Sequence, residues 1–221
     1  EKLESGAYSL DDLDFAAEDL HFNVETRVIQ LVGAEIGGRM HMGRSRNDLH
    51  ATMDRMMARV GILGVMDLLA ELIDTATGLA GEHVDTVMTG YTHTQPAQPV
   101  SLGYYLCGVV EALKRDSARL EAAYSNTNRC PLGAGAMAGT GFPIDRSLVS
   151  ELLGFDMPTS NSLDAVASRD WVSETLAALS ILMSNISRLS YDLYIWSTDE
   201  FSYIEVADSL AAVSSIMPQK K

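Results

Sequence analysis

The chain has 221 residues, of which 47% are hydrophobic and 21% charged, and this composition excludes a disordered or fibrous protein. Its 16 Lys and Arg residues against 30 Asp and Glu residues give a net charge of −14, which argues against a nucleic-acid or anionic-membrane surface. Two cysteines cannot form a disulfide framework, so we expect a cytoplasmic protein. No signal peptide is expected, because residues 1–12 lack a basic n-region and an apolar h-region. No membrane span is expected either, because the most apolar long stretch carries three charged side chains.

Helical periodicity dominates the first third of the chain. Ser9 gives the first helix-start signal, and the helical pattern then continues, with a break near His21, to Gly38. Residues 47–81 contain no proline and predict one helix of roughly 35 residues. Because this helix is apolar around much of its middle, we expect other helices, some from other subunits, to surround it.

Three further helices are predicted after a loop at residues 88–99. They cover about 100–128, about 145–153 and a long segment that starts near Ser162. In the last helix apolar residues recur every seven positions, which predicts coiled-coil-like packing; these residues are Val172, Leu179, Ile186 and Leu193. Apolar and polar residues do not alternate over long stretches, so the sequence predicts an all-α bundle of long helices with almost no sheet.

Three polar segments interrupt the helices. Residues 41–48 precede the long helix, whose N-terminus favours an anion, and Arg44 and Arg46 suit a carboxylate; a solvated helix cap is the alternative. In residues 90–99, His93 could transfer protons near neutral pH, or it could be a loop histidine without a task. Residues 214–221 place two serines before two lysines, which fits an ionised hydroxyl beside cations or a polar tail.

Two other motifs carry less weight. Glu18 and His21 have the spacing of a di-iron helix, but no second copy follows, so no metal is expected. The glycines of residues 132–141 lack both the preceding strand and the Lys-Ser/Thr pair of a phosphate loop, so they favour a loop packed closely against helices. The four cations of the polar segments indicate an anionic substrate for a strongly acidic protein.

Together these segments resemble the fumarase/aspartase superfamily. Residues 214–221, Ser-Ser-Ile-Met-Pro-Gln-Lys-Lys, are similar to the signature loop of that superfamily. Within this superfamily, five further segments resemble the argininosuccinate lyase family, namely residues 41–48, 91–95, 132–136, 142–146 and 161–165. The resemblance covers the whole chain and implies the middle of a longer enzyme. Residues 1–43 would end an N-terminal helical domain, and residues 44–221 would form a central long-helix bundle domain that is incomplete at its C-terminus.

The resemblance also implies an assembly and a reaction. The assembly is a homotetramer whose active sites each draw segments from three subunits. The reaction is the anti β-elimination of argininosuccinate, whose succinyl part is a dicarboxylate, to L-arginine and fumarate without cofactor or metal. Ser214 would be the base, Lys220 would stabilise the carbanion-like state, and His93 would transfer a proton or position the acid. The implied substrate-binding residues are Ser45, Arg46, Asn47, Thr92 and Ser215.

Several positions depart from the family pattern and leave the amine side of the substrate open. They are Leu49, Thr94, Pro96, Ser168 and Val213. One alternative is therefore a lyase of the same branch that releases fumarate from another N-substituted aspartate. A second alternative is a non-catalytic helical protein on the same scaffold, similar to lens crystallins.

Overall fold

A computed structural model describes residues 5, 13–17, 19–212 and 214–217. The helices in this part of the chain are α1 (Leu20–Val32), α2 (Ala34–Gly37), α3 (Arg46–Glu82), α4 (Leu102–Thr127), α5 (Arg146–Leu152), α6 (Ser162–Ala167) and α7 (Asp170–Trp196). The strands are β1 (Val87–Thr92), β2 (Gln95–Ser101), β3 (Arg129–Cys130) and β4 (Met157–Pro158). The all-α prediction is confirmed in its main feature, since long helices dominate.

The predicted helices agree closely with the observed ones. Helix α3 has 37 residues and extends one residue beyond the predicted range at each end. The helix predicted from Ser162 is in fact two helices, because Ser168 adopts an extended backbone (φ −74°, ψ 139°) that ends α6 before α7 begins. The helix start predicted at Ser9 lies outside the described residues.

The loop expected at residues 88–99 is instead an antiparallel hairpin of β1 and β2. Its register runs from Val87 opposite Ser101 to Thr92 opposite Gln95, with an irregularity between Thr89 and Tyr91. The prolines of β2 favoured a loop in the sequence, but a two-stranded ribbon has only edge strands, where proline is tolerated. The second sheet is a minimal parallel pair of β3 and β4.

The chain divides into two compact units. The first comprises Glu1–Met57 with Asn128–Ser168, and the second comprises Ala58–Thr127 with Arg169–Lys221. The domain boundary predicted at residue 43 or 44 stays a prediction. In the first unit, Cys130, Leu132 and Phe155 form a buried cluster.

The core of the second unit is formed by α3, α4 and α7. Its buried members are Leu69, Leu113, Leu120, Ala178 and Leu182. Leu179 and Ile186, two members of the seven-residue repeat, pack against this cluster, as coiled-coil-like packing requires. Polar contacts also join α4 to α7: the Tyr105 hydroxyl donates to Asp192 at 2.6 Å and the Asn185 amide donates to Asp116 at 2.8 Å.

Candidate active site

The first polar segment is built around the N-terminus of α3. The Ser45 hydroxyl accepts a hydrogen bond from the Asn47 backbone N–H at 3.3 Å, and the Ser45 N–H donates to Asp48 Oδ1 at 2.9 Å. These two bonds cap α3 in the manner of a capping box, except that the Ser45 hydroxyl accepts from the second helical residue instead of the third. They hold the backbone from which the Ser45, Arg46 and Asn47 side chains project.

Asp48 also connects α3 to the glycine-rich loop within the first unit. Its second oxygen, Oδ2, accepts from the N–H groups of Gly133 at 3.0 Å and Gly135 at 2.9 Å. Both glycines have positive φ, 93° and 62°, so their N–H groups can converge on one anion. The Asn47 side-chain amide adds a bond to the Ala136 carbonyl at 3.1 Å. The glycine-rich loop thus packs against a helix and its donors bind the chain's own carboxylate.

Arg46 is held by a second acidic residue of the first unit. Its Nε lies 2.9 Å from the Asp19 carboxylate. The Phe22 backbone N–H and, more weakly, the Arg46 guanidinium lower the pKa of Asp19, which caps α1. Asp19 therefore stays ionised near neutral pH and orients the guanidinium.

The second polar segment forms the tip of the hairpin. His93 and Thr94 are the two residues between β1 and β2, and both have positive φ, 52° and 61°. Two consecutive positive φ values define a type I′ turn, the preferred two-residue connection of a hairpin. Thr92 is the last residue of β1, opposite Gln95. A β-branched residue such as Thr94 at positive φ is an outlier, and such strain is found mainly at functional positions.

An aromatic cluster connects the hairpin to the segment that follows α7. The Tyr91 and Tyr203 hydroxyl oxygens lie 3.4 Å apart, and the Tyr91 ring packs against Phe201 with centroids 5.5 Å apart. A side-chain hydrogen bond with Thr89, ahead of that with Tyr91, lowers the pKa of Tyr203, whereas the bond with Tyr203 raises the pKa of Tyr91. The strand that leads to Thr92 and His93 is thereby tied to the chain that leads to the serine pair.

The third polar segment is described only in part. Ser214 is partly buried, Ser215 is exposed, and the Met217 N–H donates to the Ser214 hydroxyl oxygen at 3.2 Å. Lys220 lies outside the described residues. The hydrogen bonds of the described residues do not join either serine to His93.

The predicted site residues are therefore distributed over both units. Ser45, Arg46 and Asn47 belong to the first unit, and Thr92, His93, Ser214 and Ser215 belong to the second. Sequence reasoning missed the role of Asp48, although Ser45 and Asp48 have the spacing of a capping box. The ion pair of Asp19 with Arg46 was also missed, because the two residues are 27 positions apart and no local pattern in the sequence indicates their contact.

Within the described residues no group of three or more His, Cys, Asp and Glu side chains could hold a metal ion. No helix in that part of the chain combines the length and apolar character that a membrane crossing requires.

Comparison with known proteins identifies the class of this chain. A family model described as a lyase matches residues 3–221, and the chain belongs to that lyase family. It is 48% identical over 212 residues to the argininosuccinate lyase of Methanosarcina acetivorans, covering 96% of this chain and 43% of that protein. It is 50% identical over 206 residues to argininosuccinate lyase 1 of Shouchella clausii, covering 93% of this chain and 41% of that protein. The resemblance to argininosuccinate lyases is therefore confirmed, over less than half the length of these relatives.

Solved structures agree with this assignment. The crystal structure of EDDS lyase in complex with formate matches with a TM-score of 0.87 at 40% identity, covering 91% of this chain and 40% of that chain. A variant of EDDS lyase with bound fumarate matches equally well, with a TM-score of 0.87. The expected fold, a long-helix bundle of the fumarase/aspartase type, is confirmed.

Proposed function

We propose that the protein is an argininosuccinate lyase. In this reaction Ser214 takes the proton from the carbon next to a carboxylate, and the electron pair forms the double bond of fumarate. The bond between the neighbouring carbon and nitrogen breaks, and arginine leaves after its nitrogen receives a proton. His93 supplies or positions that proton, and Lys220 stabilises the negative charge that develops on the carboxylate.

One observation carries the proposal, namely the similarity to argininosuccinate lyases that extends over nearly the whole chain. The matched stretches amount to 96% and 93% of this chain, at 48% and 50% identity. His93, Ser214 and Lys220 are residue types that this elimination needs, which favours a lyase over the non-catalytic alternative.

The first polar segment has the chemistry that a dicarboxylate requires. Asp48 and Ser45 already accept from two N–H groups at this helix start, so α3 contributes the partial positive charge of its N-terminus to the binding of an anion. Arg46 stands at the first position of α3, and Asp19 orients it from 2.9 Å. Ser45 and Asn47 flank it with groups that donate hydrogen bonds. We therefore assign substrate binding to these three residues, together with Thr92 and Ser215.

The hairpin turn supports the role of His93. A proton-transfer group must be held within hydrogen-bond reach of its target, and a type I′ turn limits the directions in which the ring can leave the backbone. The φ values of His93 and Thr94, 52° and 61°, fix this turn at the tip of a paired ribbon.

A second candidate differs only in the amine that leaves. The likeness to EDDS lyase at 40% identity favours it, because that lyase has the same fold and a variant of it has been solved with bound fumarate. The two candidates are separated by giving the full-length protein argininosuccinate and EDDS in turn and following fumarate by ultraviolet absorbance. Release from argininosuccinate supports the proposal, and release from EDDS alone would replace the substrate while retaining the elimination. No release from either would favour the crystallin-like alternative.

We also propose that the site is completed by tetramerisation. Several large apolar side chains of α3 are exposed in the single chain: Met57 by 74%, Val60 by 73% and Leu68 by 68%. Three such residues on one helix are an apolar surface that a soluble protein normally covers. Sedimentation of the full-length protein at the mass of four chains supports this proposal, and a stable monomer would contradict it.

A further inference from the structure

We propose that Asp48 is the positioning residue of the substrate-binding segment, an inference that rests on the proposed lyase function. Its carboxylate joins the N-terminus of α3 to the glycine-rich loop. Oδ1 accepts from the Ser45 N–H, and Oδ2 accepts from the N–H groups of Gly133 and Gly135. Asp48 itself does not meet the substrate, because its side chain is completely buried, with 0% exposure.

The carboxylate is suited to this task by its two equivalent acceptor oxygens. Three N–H groups converge on it at 2.9–3.0 Å, and hydrogen bonds to an ionised acceptor are stronger than those to a neutral one. The donors come from two chain segments that are 85 or more residues apart in sequence. The same charge also lies in the first turn of α3, where it is favoured by the helix dipole.

The glycine-rich loop is shaped to receive this carboxylate. Gly133 and Gly135 have φ of 93° and 62°, which L side chains rarely adopt. A Cβ on Gly133 would lie 2.8 Å from Arg146 Cγ, and one on Gly135 would lie 2.8 Å from the Gly139 carbonyl oxygen. The loop also accepts the Asn47 amide through the Ala136 carbonyl. Asn47, which we propose binds substrate, is therefore held twice: its side-chain amide donates to the Ala136 carbonyl and its backbone N–H donates to the Ser45 hydroxyl.

Replacement of Asp48 by Asn tests this role. An amide presents one acceptor oxygen and one NH2 group, so either Ser45 or the glycine pair would face a donor instead of an acceptor. The two segments then separate, and Ser45, Arg46 and Asn47 lose their common support. We expect the KM for the substrate to rise at least about tenfold, as for the loss of one charge-assisted hydrogen bond, with a smaller change in kcat.

Asp116→Asn is the matched control. Asp116 is 1% exposed and accepts from Arg119 at 2.7 Å and Asn185 at 2.8 Å, but it belongs to the second unit and to no polar segment. We expect this variant to lower the unfolding midpoint while KM stays within about twofold of wild type. Equal increases of KM in the two variants would overturn the positioning role, as would an unchanged KM in folded Asp48→Asn.

Two further measurements keep the test decisive. If Asp48→Asn does not fold, Gly133→Ala retains the carboxylate and perturbs its donor; KM should again rise, and a wild-type KM would contradict the proposal. Hydrogen exchange of peptides spanning residues 132–136 reports the contact without turnover, and exchange should be faster in folded Asp48→Asn than in Asp116→Asn. Unchanged exchange would overturn the coupling. Failure of the wild-type protein to release fumarate from any substrate would instead overturn the proposed function.

Discussion

Thr94 offers a test of the strained hairpin that bears His93. Its φ of 61° lies in the left-handed region, which costs an L-residue with a Cβ about 1–2 kcal/mol. Glycine removes this cost but gives the unfolded chain additional freedom worth about 0.5–1 kcal/mol. The Thr94 hydroxyl donates to the neighbouring His93 carbonyl at 2.6 Å, an exposed local bond that adds little. Thr94→Gly should therefore stabilise the folded protein by roughly 0.5–1 kcal/mol.

The assay is urea unfolding of the full-length protein, compared as midpoints at unchanged slope. Thr77→Gly is the matched control, because Thr77 is an exposed residue in the right-handed backbone of α3. There glycine should destabilise by several tenths of a kcal/mol, in the opposite direction. If Thr94→Gly were no more stable than wild type, or if both variants moved in the same direction, the strain argument would be refuted.

Three other predictions concern the reaction, the α4–α7 contact and the core. Ser214→Ala should abolish fumarate release while binding of fumarate, measured by calorimetry, persists; near-normal turnover would remove Ser214 as the base. Burial and the hydrogen bond to Asp192 raise the pKa of Tyr105, so the folded state holds its proton more tightly than the unfolded chain and stability should fall as pH rises above about 10. Tyr105→Phe should lack this part of the decline, so its difference in unfolding free energy from wild type should shrink between about pH 9 and 11, and a constant difference would contradict the assignment. Leu120→Ala, at a position with 0% exposure, should lower the free energy of unfolding by about 2–5 kcal/mol, whereas a loss below about 1 kcal/mol would mean that the site collapses around the smaller residue.

The helices were predictable because their signal is local. Helix α3 appears in the sequence as a long stretch without proline, and the observed bounds Arg46–Glu82 differ from the prediction by one residue at each end. The break before α7 was not predicted, because no proline or glycine marks it; Ser168 and Arg169 leave the helical conformation only in their backbone angles. The hairpin was missed because Pro96 and Pro99 are loop signals unless the strand lies at an edge.

The residues of the first polar segment could be picked out from the sequence, but the contacts that hold them in place could not. Ser45, Arg46 and Asn47 were identified by a motif, and the structure assembles them at one helix N-terminus. The contact of Asp48 with Gly133 depends on two segments 85 residues apart, which no local pattern encodes. The ion pair of Arg46 with Asp19 is likewise a product of the tertiary fold. The contacts that hold the site residues therefore depend on the tertiary fold, which a sequence motif does not encode.

The most direct test of the proposed reaction is fumarate release from argininosuccinate by the full-length protein, followed by ultraviolet absorbance alongside Ser214→Ala and Ser215→Ala. We expect rapid release by the wild type, none by Ser214→Ala, and release with a raised KM by Ser215→Ala. Absence of release by the wild type would contradict the proposed substrate, and equal release by the wild type and Ser214→Ala would contradict the proposed chemistry.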